Sequence, residues 1–157
     1  MRTVMKILVP IDFNAPSDVA LMYGRNLARV FGADLHVLHV MENQFLHLTF
    51  NSAAAVETGM VRRVAEQLTD DDRASLNAVT VVRMSNAPAD EIVQYAVEEN
   101  IDLVVMSTHG RNNVAHLLRG NVVEHVIRAA PCAVLTIHQP EREFVMPNHM
   151  QASHDFA

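Results

Sequence analysis

The sequence predicts an α/β fold, with a parallel five-stranded sheet covered by helices on both faces. Three observations predict it. Short aliphatic runs alternate with segments of helical period. The first and fourth runs are nearly unbroken hydrophobe, as in strands covered on both sides. Residues that start and stop helices stand between them.

The first strand spans residues 6–11. Pro10 has no N–H for a ladder and belongs at the exit of that strand. A helix over 16–31 follows, with Pro16 in its first turn and Ala20, Gly24, Leu27, Ala28 and Phe31 on one face. Gly32 ends it and residues 35–40 form the second strand. A less regular helix is expected over 57–76, then a strand over 78–82. The helix over 87–99 carries Pro88, Asp90 and Glu91 in its first turn, groups Ile92, Val93, Ala96 and Val97, and stops at Asn100. Residues 101–106 form the fourth strand. A last helix begins near Gly120, carries Val122, Val123, Val126, Ile127 and Ala130, and is stopped by Pro131 before a fifth strand over 133–137. The order βαβαβαβαβ implies crossover connections and therefore parallel strands. Residues 42–56 hold Phe45, Leu46, Leu48 and Phe50, and read as a flap packed on its own domain or as a partner or ligand lid. One domain over 1–138 is expected, with a tail over 139–157 that lacks periodicity.

Composition narrows the function. Half of the 157 residues are hydrophobic, which excludes disorder for most of the chain. The net charge of −6 argues against a nucleic-acid partner, whereas a local cluster of backbone N–H groups can still hold a small anion. Cys132 is the single cysteine, so no internal disulfide and no CxxC motif exist. The apolar run 7–11 is too short for a signal peptide, and nowhere do ~18 apolar residues run together. A cytoplasmic protein without a membrane partner is expected. His36 and His39 have HxxH spacing, but three steps along a strand point them to opposite faces, so they cannot share an ion. His149 and His154 leave a zinc or nickel site in the tail open. With no GxxxxGK[ST] loop and no GxSxG elbow, no catalytic residue and no protein metal site is assigned.

In an open parallel sheet, ligands bind beyond the carboxyl ends of strands where the strand order reverses. The first strand ends in Pro10, Ile11 and Asp12. The fourth ends in Met106 and Ser107, followed by Thr108, His109, Gly110 and Arg111, and a helix begins at Gly120 and Asn121. Gly110 and Gly120 let backbone approach a ligand closely, and the free N–H groups of Gly120, Asn121 and Val122 suit phosphate oxygens.

Ser107, two residues, Gly110, nine residues, then Gly120 and Asn121 resembles the nucleotide-binding signature Gly-x2-Gly-x9-Gly-Ser/Thr of the universal stress protein family. KILVPID at 6–12, LHVLHV at 35–40, DLVVMSTHGR at 102–111 and VVEHVIRAAPCAVLTI at 122–137 are similar to that family too, in the right order, so that the resemblance covers 4–138. It implies a three-layer Rossmann-like or flavodoxin-like fold with strand order 3-2-1-4-5. It also implies a homodimer through the last strand, where Val134, Leu135 and Ile137 stand on an otherwise exposed edge. The ligand it implies is ATP, or ADP or AMP, with Mg²⁺ bridging the phosphates.

Carried over residue by residue, the nucleotide-binding set is Pro10, Ile11, Asp12, Val40, Met106, Ser107, His109, Gly110, Arg111, Gly120, Asn121 and Val122. Asp12 contacts adenine, ribose or a metal, or else caps the turn that follows it. Val40 offers backbone groups to the adenine edge, or is ordinary core. Ser107, Gly110, Gly120, Asn121 and Val122 surround ribose and phosphates. His109 shapes the loop or touches the ligand, and Arg111 neutralises phosphate charge or is a solvated loop residue. Ser107 replaces the first glycine of the signature. Asn121 replaces its hydroxyl, and serves the phosphate through its amide or only caps the helix. The implied function is a nucleotide-dependent signalling or protective module in a stress response, with an unidentified protein partner. Occupancy would order the loop 107–120 and the flap 42–56. The alternatives are a slow ATP hydrolase or autophosphorylating protein using His109, Ser107 or Thr108, and a nucleotide-free dimeric interaction protein.

Overall fold

The computed structural model describes residues 3–42, 53–108 and 120–138. Ile7, Leu8 and Val9, without exposed surface, form the middle of β1 (Lys6–Pro10). After it come α1 (Ala15–Phe31), β2 (Asp34–Met41), α2 (Ala53–Ala65), α3 (Asp70–Ser75), β3 (Val79–Met84), α4 (Pro88–Glu98), β4 (Leu103–Thr108), α5 (Gly120–Ala129) and β5 (Ala133–His138). The five strands are parallel in the order β3-β2-β1-β4-β5, as the family resemblance implies.

Strand alternation sorts the core into two layers. Ile7, Val9, Leu35, Val37 and Val105 point to one face, where they pack with Ala20, Leu21 and Ala28 of α1, Val64 of α2 and Leu76. Leu8, Leu38, Val104 and Met106 point to the other and meet Ile92, Tyr95 and Ala96 of α4 and Val126 of α5. At Gly24 the helix α1 lies so close to β1 that a Cβ would overlap Val9 Cγ2. None of these helices is long and apolar enough to cross a membrane, among the described residues.

Local chemistry explains the boundaries. Asn14 caps α1 by accepting from Ser17 N at 3.0 Å, and Gly32 closes it at φ 64°. Asn100, at φ 54°, follows the end of α4, and Ile101 N donates back to Ala96 O. Ile101 is thus committed to closing the helix, which is why β4 starts at Leu103 rather than at 101.

One expectation fails. The single helix over 57–76 is two helices, the first beginning at Ala53, so the last residues of the expected flap belong to α2. Thr69 and Asp72 restart the chain as a reciprocal capping box, Thr69 Oγ1 accepting from Asp72 N at 3.1 Å and Asp72 Oδ2 accepting from Thr69 N at 3.0 Å. Arg25 fixes the break. It donates to Gln67 O in the connection and, at 2.8 Å, to the Asp72 carboxylate, which is only 1% exposed. Residues 43–52 of the flap and the tail over 139–157 lie outside the described residues.

Candidate functional site

Pro10 is where the sheet comes apart. Asp102 N donates to Lys6 O on one side of β1, and Ile11 N donates to Leu38 O at 2.8 Å on the other. Backbone groups alternate between neighbours, so the nitrogen of residue 10 faces β4, and proline has no proton to offer there. The β1–β4 register consists of Ile7↔Leu103 and Leu8↔Val104, whereas β1–β2 pairing continues through Pro10↔Leu38. The two central strands therefore diverge beyond residue 8, at the switch point of the sheet.

The divergence opens a crevice of ≈ 410 Å³. That volume falls in the range of small-molecule sites, roughly 300–1,000 Å³. Of the predicted set, Pro10, Ile11 and Asp12 enter it from β1, Val40 from β2, Met106 and Ser107 from β4, and Val122 from the first turn of α5. Gly120 and Asn121 open α5, whose leading N–H groups have no acceptors within the helix. His109, Gly110 and Arg111 lie outside the described residues. The Asp12 carboxylate caps its turn, accepting from Asn14 N at 3.2 Å and from Asn14 Nδ2 at 2.7 Å, while still lining the crevice.

Sequence reasoning missed one wall. Phe13 has φ 63°, in the left-handed region that bulky residues avoid. Its ring packs on His39 with centroids 4.7 Å apart, and the Arg63 guanidinium lies over the ring, 4.0 Å from its centroid. His39 Nδ1 is 2.8 Å from Ile11 O. A carbonyl only accepts, so Nδ1 carries the proton. One available signal pointed to Arg63. Arg62 has an acid four residues on and pairs with Glu66 at 3.1 Å, whereas Arg63 has Gln67 at that spacing.

His36 confirms the expected opposition of the two histidines. It lies on the α4 face, buried, with Nδ1 2.7 Å from the Tyr95 hydroxyl. Burial, with help from Lys6, holds its pKa below the usual histidine value, and burial pushes the Tyr95 phenol up to about 12. The imidazole is therefore neutral, and its Nδ1 shares one hydrogen bond with the phenol. Among the described residues, no three His, Cys, Asp or Glu side chains are placed to hold a metal ion.

Comparison with known proteins fits this architecture. The model of the universal stress protein family matches residues 3–138. A universal stress protein of Methanothermobacter thermautotrophicus is 37% identical over 136 residues, covering 82% of this chain and 92% of its own length. The chain belongs to the universal stress protein family. Among solved structures, MJ0577 of Methanocaldococcus jannaschii superposes with a TM-score of 0.68 at 22% identity, covering 88% of this chain and 98% of that one. A universal stress protein in complex with cAMP gives 0.64 at 21% identity, covering 87% and 98%. One from Archaeoglobus fulgidus in complex with dAMP gives 0.62 at 16%, covering 86% and 98%. At these identities the likeness speaks for the fold.

Proposed function

We propose that this universal stress protein binds an adenine nucleotide, ATP in the first place, in the crevice between β1 and β4, and acts as a nucleotide-dependent signalling or protective module. One observation carries the reading. The ends of three strands and the amino end of α5 converge on one ≈ 410 Å³ space that is lined by seven of the twelve residues carried over from the family resemblance, counting Pro10, Ile11, Asp12, Val40, Met106, Ser107 and Val122. Phosphates suit the N–H groups of α5, where the helix dipole favours negative charge. The cAMP and dAMP complexes of structural neighbours support the same ligand class.

The residues present fit a magnesium ion held by the ligand rather than by the protein. Asp12 is a hard oxygen donor lining the crevice, and such an ion takes one or two carboxylates together with phosphate oxygens. Bound there, it would neutralise phosphate charge.

Mass spectrometry of freshly purified, denatured protein tests the ligand directly, and calorimetry with ATP and Mg²⁺ gives the affinity. Gly120→Val places a branched side chain at the helix start and is expected to weaken ATP binding about 100-fold, or about 2.7 kcal/mol, with the thermal midpoint unchanged. Normal affinity in that variant would move the site elsewhere. Dimerisation through β5 is part of the proposal, since this edge strand leaves Leu135 38% exposed and has a neighbour on one side only. Sedimentation of the full chain tests it. The autophosphorylation alternative has one observation in its favour, the hydrogen bond between Thr108 Oγ1 and His138 Nδ1, a hydroxyl beside a base next to Ser107. Radiolabelled ATP followed by mapping of the labelled residue decides it.

A further inference from the structure

We propose that Arg63 is the surface on which the base of the bound nucleotide stacks, an inference that rests on the nucleotide reading above. The guanidinium lies 4.0 Å over the Phe13 ring, and both side chains line the crevice. A guanidinium is planar and weakly hydrated, and it stacks on aromatic faces. With one face on Phe13, its other face is a flat platform of the kind nucleobases use.

The platform is backed rigidly. Phe13 is held at φ 63°, and against its ring packs His39, itself tied to Ile11 O. Neighbouring Arg62 is occupied by Glu66, whereas Arg63 makes no ion pair among the described residues.

Position assigns this end to the base. Helix α2 packs on β2 and β3, and α5 packs on β4, so the Arg63 wall and the helix end suited to phosphate lie on opposite sides of β1. A ligand with its phosphates at α5 directs its other end toward α2. Asp12 and Glu42 line the same crevice and offset the charge of Arg63, the one arginine that lines it among the described residues, which favours a flat neutral group over a second anion.

Calorimetry on the full chain tests this with three probes: ATP with Mg²⁺, adenosine, and inorganic tripolyphosphate. Arg63→Ala should weaken ATP and adenosine by the same factor, roughly 5- to 100-fold, as loss of one stacking partner does. Tripolyphosphate affinity should not change. Arg63→Lys keeps the charge without the plane and should lose as much as Arg63→Ala. The thermal midpoint should hold in both, because Arg63 is exposed. Unchanged ATP and adenosine affinity in Arg63→Ala would overturn the inference. So would a loss confined to phosphate-bearing probes and restored by lysine. A wild-type protein that binds neither ATP nor adenosine would overturn the nucleotide reading itself.

Discussion

Two histidine–aromatic pairs leave β2 from opposite faces. His36 meets Tyr95 under α4, where the phenol and the imidazole are hydrogen-bonded at 2.7 Å and the Arg83 guanidinium covers the ring at 4.9 Å. His39 meets Phe13 at the mouth of the crevice, with Arg63 over the ring. The components are nearly the same: an imidazole, a ring and a guanidinium. In the first pair Arg83 is bound by Glu91 at 2.9 Å and Glu98 at 2.6 Å, and Tyr95 is 3% exposed, so nothing is left for a ligand. The second pair is built at a conformational cost on Phe13 and faces an open space. Whether the guanidinium is paired and the ring enclosed therefore separates a structural use of this chemistry from a binding one.

Truncation should break the symmetry most strongly. Tyr95→Ala removes a buried ring and orphans His36, and should cost about 3–5 kcal/mol in chemical denaturation. Phe13→Gly also removes a ring, but glycine adopts φ 63° freely, so its stability should stay within about 1 kcal/mol of the wild type. ATP affinity should fall in Phe13→Gly. If both variants destabilised equally, the crevice wall would be ordinary core and the contrast would disappear.

Acid should act on one pair through a known sign. Burial lowers the His36 pKa below 6.5, with Lys6 adding to the effect and Glu99 and Asp34 opposing it. The unfolded chain therefore binds the proton more readily than the fold does. The contribution of His36 is complete above pH about 6.5 and declines as pH falls below that value toward the folded pKa. Denaturation midpoints measured between pH 7.5 and 5 should drop, and His36→Gln should flatten much of that slope. Asp72 does not confuse the window. Burial alone would raise its pKa, but the Thr69 N–H and Arg25 outweigh burial and hold it below 3.8, so its contribution is lost only in stronger acid.

The sheet was legible because its strands are runs of branched aliphatics bounded by residues with one conformational meaning, such as Gly32 and Asn100. Pro10 was legible as a strand exit, and its consequence, the opening toward β4, follows from ladder alternation once the register is known. The side-by-side placement of Asp12, Val40, Ser107 and Val122 was legible through the family resemblance. The rest depends on tertiary geometry. Asp72 sits in a run of three aspartates that reads as a solvated surface, yet it is buried because Arg25, 47 residues away, reaches it. Phe13, His39 and Arg63 come from a turn, a strand and a helix whose rotation no local pattern sets. Nothing about a phenylalanine announces a positive φ.

The smallest expected effect probes the hinge of the contrast, the bond from His39 Nδ1 to Ile11 O. His39→Leu keeps apolar volume behind Phe13 but leaves the carbonyl without that donor. Because Ile11 borders the crevice, water can take the donor's place, and the loss of stability should stay near the net value of one hydrogen bond, about 0.5–1.5 kcal/mol. The effect on binding distinguishes two ways the wall could work. If His39 holds Phe13 by contact alone, leucine supports the ring and ATP affinity is kept. If the hydrogen bond fixes the turn that carries Asp12 and Phe13, ATP affinity falls several-fold while tripolyphosphate affinity is unchanged. The tight turn from Asp12 to Asn14 and the strained φ of Phe13 favour the second outcome, because a strained residue persists only where its surroundings over-determine it.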